Sequence, residues 1–387
     1  MAEQGKETGF SGRIPSLDGL RALSISMVVI GHCSGTIGDL GDRTRMFLSF
    51  VGAGRLGVSI FFVISGFLIT TLLVREQLAT GTISLRDFYT RRALRIFPAF
   101  YAYWLLALVL TLIGYIQLSR AELISAAVYV WNYVPRQVDT WFLGHTWSLS
   151  LEEQFYLVWP LVLKLFGIRR GTWAALTAVV VAPIIRVSWY FLFPATRLLI
   201  GMMLPTRADS LMIGALLALI CINGDRLRIL KQWVASWLIP VASLCFLIID
   251  TMLTVHFKGA YTLPVGYSLQ NFMIVLLIAH FVFYERTVLG RTLNHPLIVH
   301  IGLISYSLYL WQQLFLTTNN KTFTGAFPWN ILCAFLAAEL SYYLLEKPLL
   351  RSRKRFSKVP ESRATVNENQ SLEPQRVILA ASASASS

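Results

Sequence analysis

The stretch SLDGLRALSISMVVIGHCSG (residues 16–35) carries an arginine and a histidine in an otherwise apolar run. Arg21 and His32 are 11 residues apart, close to three turns of α-helix. On a helix both side chains lie on one face, about 16 Å apart along the axis. The two groups suit different chemistry. A neutral imidazole titrates near working pH and can take a proton from a hydroxyl as a general base. A guanidinium keeps its charge and offers a planar fork of donors that fits phosphate oxygens. Each also has a plain reading: Arg21 as an interfacial arginine snorkelling to headgroups, His32 as a histidine bonded to a neighbouring helix. Cys33, the next residue, faces another way and is not placed to share the pocket of His32.

Four further stretches add polar groups where lipid-like sequence would not. YTRRALRIFPAFY (89–101) crowds Arg91, Arg92 and Arg95, more basic charge than topology requires. Arg92 and Arg95 are one turn apart and, with Arg21, could make a basic mouth for phosphate groups. FFVISGFLIT (61–70) holds Ser65 and Gly66, small residues that let a helix or a ligand come close. In HTWSLSLEEQFYLVWP (145–160), Ser150 and Glu153 read as a capping box. That leaves Glu152 as a costly carboxylate at a membrane entrance. Arg186 and the RADS of 207–210 complete the set, with an Arg186–Asp209 ion pair as the plain reading.

The rest of the chain says what must hold these groups. Of its 387 residues 55% are hydrophobic and 14% charged, against roughly 25% charged in soluble domains. Separated apolar runs near 20 residues long have the length of membrane-spanning helices. The candidates are 20–36, 56–74, 96–117, 149–167, 172–193, 208–223, 232–250, 267–284, 297–316 and 329–346. Segment 122–134 is short for a span, and treating it as interfacial or re-entrant puts every basic cluster on one side. The expectation is an all-α membrane protein of ten spanning helices with both termini cytoplasmic. A short cytoplasmic N-terminal segment (1–13) precedes the transmembrane domain (14–351), and a polar, low-complexity tail (352–387) follows it as a disordered cytoplasmic segment. The net charge of +14 lies in short clusters between apolar runs, which fits topology and gives no nucleic-acid face. The four cysteines lack metal-ligand spacing, so no metal is expected.

Taken together these residues resemble the acyltransferase 3 family of integral membrane O-acyltransferases, from Ile14 to about Arg351. The resemblance rests on Arg21-x10-His32, FFxxSG (61–66), RxxR (92–95) and WSLxxE (147–152). TRADSLMIGALLA (206–218), ISYSLYLW (304–311) and EKPL (346–349) support it. One position departs: after SYSLYLW the family often has a histidine, and here stands Gln312, which can still donate and accept hydrogen bonds.

The resemblance implies transfer of an acyl group, usually acetyl, from cytoplasmic acyl-CoA to a hydroxyl of an extracytoplasmic or lipid-linked glycan. Acetyl-CoA is then a donor substrate, with no tightly bound cofactor. His32 is expected as general base, and Arg21, Arg92 and Arg95 as the holders of the CoA phosphates. Glu152, on the opposite side from those arginines, would orient the acceptor or pair with His32. Ser65, Trp147, Arg186 and Asp209 are expected against substrate. The partners implied are acyl-CoA, a carbohydrate or glycolipid acceptor and the lipid bilayer, at a bacterial plasma membrane. A proton-coupled transporter is the competing class, since intramembrane His, Arg and Glu can form a relay. Against it, the two halves show no repeat and no paired broken helices.

Overall fold

The computed structural model describes residue 14 and residues 16–38, 44, 47–48, 51–134 and 141–352. Among these residues every regular element is helical. In chain order the helices are α1 (Leu17–Cys33), α2 (Gly54–Thr80), α3 (Leu85–Leu112), α4 (Arg120–Ala127), α5 (Thr146–Leu192), α6 (Leu204–Ile220), α7 (Gly224–Val234), α8 (Leu238–Phe257), α9 (Tyr267–Phe283), α10 (Val288–Leu293), α11 (Pro296–Trp311), α12 (Trp329–Ser341) and α13 (Lys347–Ser352). A helical turn, Trp141–Gly144, leads into α5, and a π turn, Tyr342–Glu346, joins α12 to α13. The expected N-terminal segment 1–13, and the expected tail beyond residue 352, lie outside the described residues.

Six helical runs among the described residues are long and apolar enough to cross a membrane: Gly54–Thr80, Leu85–Leu112, Trp141–Leu192, Pro194–Ile220, Leu238–Phe257 and Gly259–Phe283. The difference from the ten expected has a local cause at each place. Spans 149–167 and 172–193 share the 47-residue α5, which breaks at Gly167 (φ 73°, ψ 174°). A β-carbon on Gly171 would meet Leu163 Cδ2 at 2.5 Å and Trp159 Cη2 at 3.8 Å. Residues 159 and 171 would be about 18 Å apart along an unbroken helix, so α5 doubles back as a hairpin, and the positive φ at its bend favours glycine. Elsewhere the apolar window outruns the helix. α1 ends at Cys33 and α11 at Trp311, while 329–346 divides between α12 and the π turn.

Segment 122–134 forms only the eight-residue α4 and a 3-10 turn at Trp131–Tyr133, too short to span. Its start carries the capping box: Glu122 N–H donates to Ser119 Oγ (3.2 Å) and Ser119 N–H to Glu122 Oε2 (2.9 Å). The box expected at Ser150 and Glu153 does not form, because α5 is already helical from Thr146. There the Ser150 hydroxyl donates to Thr146 O (2.9 Å) instead.

Helix α2 is central, packed against α6 and α1. α1 in turn rests on α11, and α11 on α12, while α5 and α9 cover α6 and α8 covers α9. Large apolar side chains such as Leu157, Leu165, Phe166, Trp173, Val180 and Ile184 of α5 point outward, as a lipid-facing surface requires. Contact between α2 and α6 is backbone to backbone. A β-carbon on Gly66 would lie 1.8 Å from Leu211 O, and one on Gly214 2.0 Å from Val63 O. Of the small pair in FFVISGFLIT, Gly66 therefore serves helix packing. Gly66→Ala must push the two helices apart and is expected to cost about 1–3 kcal/mol or more, read as a lowered melting temperature in detergent.

Candidate functional site at the junction of α1, α2, α3, α5 and α11

Polar groups from several helices gather at two levels. At the first, Arg21 forms an ion pair with Asp18 (3.6 Å), and the charges of Arg95 and Glu152 also act on it. Glu152 Oε1 accepts a hydrogen bond from Ser65 Oγ at 2.7 Å and lies within electrostatic reach of Arg21, Arg92 and Arg95. The Arg92 guanidinium lies over the rings of Tyr156 (5.3 Å) and Phe88 (5.9 Å), a placement that suits a planar cation. Glu346, from the EKPL stretch, accepts from Ser307 and feels the Arg95 charge.

At the second level His32 Nδ1 is 2.9 Å from Gln312 Oε1, and its ring meets Trp141 edge-on with centroids 4.9 Å apart. His145, just before α5, is buried between Tyr103 (5.3 Å) and Tyr309 (5.4 Å) and within electrostatic reach of His32. Neither of its ring nitrogens has a hydrogen-bond partner among the described residues. Tyr309 ties this level together: its hydroxyl donates to His145 O (3.0 Å) and shares a hydrogen bond with Ser148 Oγ (2.7 Å).

Helix geometry sets the spacing between levels. α1 runs from the first to the second over the 11 residues between Arg21 and His32, about 16 Å. α5 runs the opposite way, with Glu152 seven residues after His145, about 10 Å. On α2, Phe61, Ser65 and Leu68 are the half-exposed positions in an otherwise buried stretch from residue 56 to 70. Their spacing makes one stripe, with Phe61 edge-on to Tyr309 (6.5 Å) and Ser65 on Glu152. That accessible stripe borders both levels.

The structure therefore brings together Arg21, Arg92, Arg95, Ser65 and Glu152, with His32 further along the same face of α1. It differs from expectation over Glu152, which sits with the arginines rather than opposite them. The partner of His32 is Gln312, because the antiparallel course of α5 carries Glu152 about two turns away from the histidine level. Trp147 packs edge-on against Phe62 (5.8 Å).

Arg186 and Asp209 form a cluster of their own. Arg186 Nη1 donates to Asp209 Oδ2 (2.8 Å) and Thr206 O (3.0 Å), Nε to Leu263 O (2.8 Å), and Nη2 to Ser268 Oγ (2.8 Å). These bonds pin α5, α6 and α9 together with both side chains fully buried. Asp209→Ala leaves the guanidinium buried without its carboxylate and is expected to destabilise by about 3–5 kcal/mol. Arg186→Leu combined with Asp209→Leu should cost less than the sum of the single changes, which thermal unfolding of the three variants would read.

Several site residues escape sequence reasoning. His145 and Tyr309 stand inside quoted stretches, but nothing in their spacing links them to His32, since the link is between helices. Gln312 and Gln313 carried the one usable signal: two adjacent amides, both buried, ending an apolar helix.

The chain is similar to known proteins over most of its length. The model of the acyltransferase 3 family, described as an acyltransferase domain, matches residues 14–346. The O-acetyltransferase OatA of Staphylococcus aureus strain MRSA252 is 30% identical over 379 residues, which cover 91% of this chain and 60% of the relative. Its counterpart in strain NCTC 8325 is 30% identical over 378 residues, 90% of this chain and 59% of the relative. The chain thus spans less than two thirds of the length of these relatives. No solved structure matches. With a family match over nearly its whole helical body, the chain belongs to the acyltransferase 3 family.

Proposed function

We propose that this protein is a multi-pass membrane O-acetyltransferase. It moves an acetyl group from acetyl-CoA on the cytoplasmic side to a hydroxyl of an extracytoplasmic or lipid-linked glycan, in a bacterial plasma membrane. The observation that carries this reading is the pairing of a cationic level with an imidazole level about 10–16 Å away, bordered by one accessible stripe of α2. In this reading the guanidiniums of Arg21, Arg92 and Arg95 hold the CoA phosphates. The flexible thiol-ending arm of CoA then runs toward His32. Glu152, anchored by Ser65, keeps the arginines apart and aimed. His32 takes the proton of the acceptor hydroxyl as its oxygen attacks the thioester carbonyl. Collapse of the tetrahedral intermediate breaks the C–S bond, and the thiolate takes that proton to leave as CoA thiol.

The topology that goes with it has ten passes and both termini inside the cell. The six long runs supply seven of these once α5 is counted as a hairpin, and α1, α11 and α12 with its π turn supply the others. In proteoliposomes, labelled acetyl-CoA with a candidate glycan should yield free CoA and labelled glycan ester in equal amounts. Failure of acetyl-CoA to bind the folded protein at all would sink the reading.

A further inference from the structure

The second level contains a chain of amides whose direction is set at one end. Gln313 Nε2 is 2.7 Å from the backbone oxygen of Trp141. That oxygen can only accept, so the nitrogen of the Gln313 side chain must face it. The reverse amide would set two acceptors against each other. Gln313 Oε1 is then left to face Gln312, whose Nε2 donates to it at 3.2 Å. With its nitrogen committed there, Gln312 presents its oxygen to His32 Nδ1, 2.9 Å away. An amide oxygen only accepts, so Nδ1 must carry the hydrogen.

The anchor is held from both sides. Trp141 Nε1–H donates back to Gln313 O (2.9 Å), so Trp141 and Gln313 are held by a reciprocal pair of bonds. Gln312 is 0% and Gln313 3% exposed, so water offers little competition for these groups. The Trp141 ring also lies edge-on to His32, holding the imidazole plane from a second side.

We propose that Gln312 and Gln313 are positioning residues that hold His32 in the Nδ1–H tautomer and leave the Nε2 lone pair to receive the proton of the acceptor hydroxyl. The inference rests on the acetyl-transfer reading for the role of that lone pair. Free histidine in water favours the opposite tautomer, so the relay sets a state that the side chain alone would not. When Nε2 takes the hydroxyl proton, the imidazolium still donates from Nδ1 to Gln312 Oε1. No amide turns over during the cycle, and the proton leaves from Nε2 to the CoA thiolate. Gln312, the position where the sequence departs from its resemblance, thus orients the base without adding a charge.

The test is a long-range 1H–15N spectrum of 15N-histidine-labelled protein in nanodiscs, without substrate, above the pH at which the ring is neutral. The His32 signals are identified by their loss in His32→Ala. Wild type should show protonated Nδ1 and bare Nε2. Gln312→Leu and Gln313→Leu should show a mixture of tautomers. In turnover, Gln312→Leu should lower kcat about 10- to 100-fold at unchanged KM for acetyl-CoA. An Nε2–H tautomer in the wild type overturns the inference even if neither glutamine variant folds, as does a wild-type spectrum from Gln312→Leu. Because the spectrum needs no turnover, its failure is distinct from failure of the acetyl-transfer reading.

Discussion

His32→Ala is expected to lower acetyl transfer about 10²- to 10⁴-fold, the usual contribution of a positioned general base, while acetyl-CoA still binds. The separation of effects follows from the spacing. His32 stands about 16 Å along α1 from Arg21, so loss of the imidazole leaves the cationic level intact. Equilibrium binding of labelled acetyl-CoA and single-turnover rates, measured at equal folded yield, would separate the two steps. An unchanged chemical step would move the base elsewhere, and His145 would be the first group to examine. It is buried in the same place with both ring nitrogens unpartnered among the described residues.

The second large effect belongs to the arginines. A hydrogen bond between charged groups contributes about 1.5–3 kcal/mol, which is roughly 10- to 150-fold in affinity. Arg92→Ala combined with Arg95→Ala should therefore raise the KM for acetyl-CoA by about two orders of magnitude. At saturating donor, kcat should change far less. A short acetyl thioester that lacks the nucleotide provides the control. Wild type should prefer acetyl-CoA over it strongly, and the double variant should lose most of that preference. If both donors suffer equally, the arginines hold the fold or the topology and not the CoA phosphates. Raising the salt concentration should weaken acetyl-CoA use by the wild type and leave the short donor little affected.

The polar inventory of the site can be read along the chain wherever it depends on spacing within one helix. Arg21 and His32 share a face of α1 because 11 residues make about three turns, and Arg92 and Arg95 share one because they are a turn apart. Relations between helices are another matter. The expected order of spans already sets the fourth, 149–167, antiparallel to the first, but nothing in 147–160 says how deep α5 sits against α1, so the level at which Glu152 meets the arginines has no local signature. Ser65 and Gly66 show the same divide at adjacent positions. Both are small, yet one faces Glu152 and the other lies on the backbone of α6, and only the rotation of α2 among its neighbours separates the two roles.

The span count divides in the same way. Hydropathy averages over a window, so it found the apolar lengths but not the points where the regular α-helix stops: the end of α1 at Ser34, the bend at Gly167, the 3-10 turn from Gln312 and the π turn from Tyr342. The membrane class, the helical architecture, the family motifs and the two chemical types of group follow from residue identity and short-range periodicity, because those are properties of one chain segment at a time. The assembly of Arg21, Ser65, Arg92, Arg95 and Glu152, the burial of His145, and the amide chain from Trp141 through Gln313 and Gln312 to His32 join residues up to 280 positions apart. Such contacts depend on helix packing and hydrogen-bond direction in three dimensions, and the linear order of residues does not contain them.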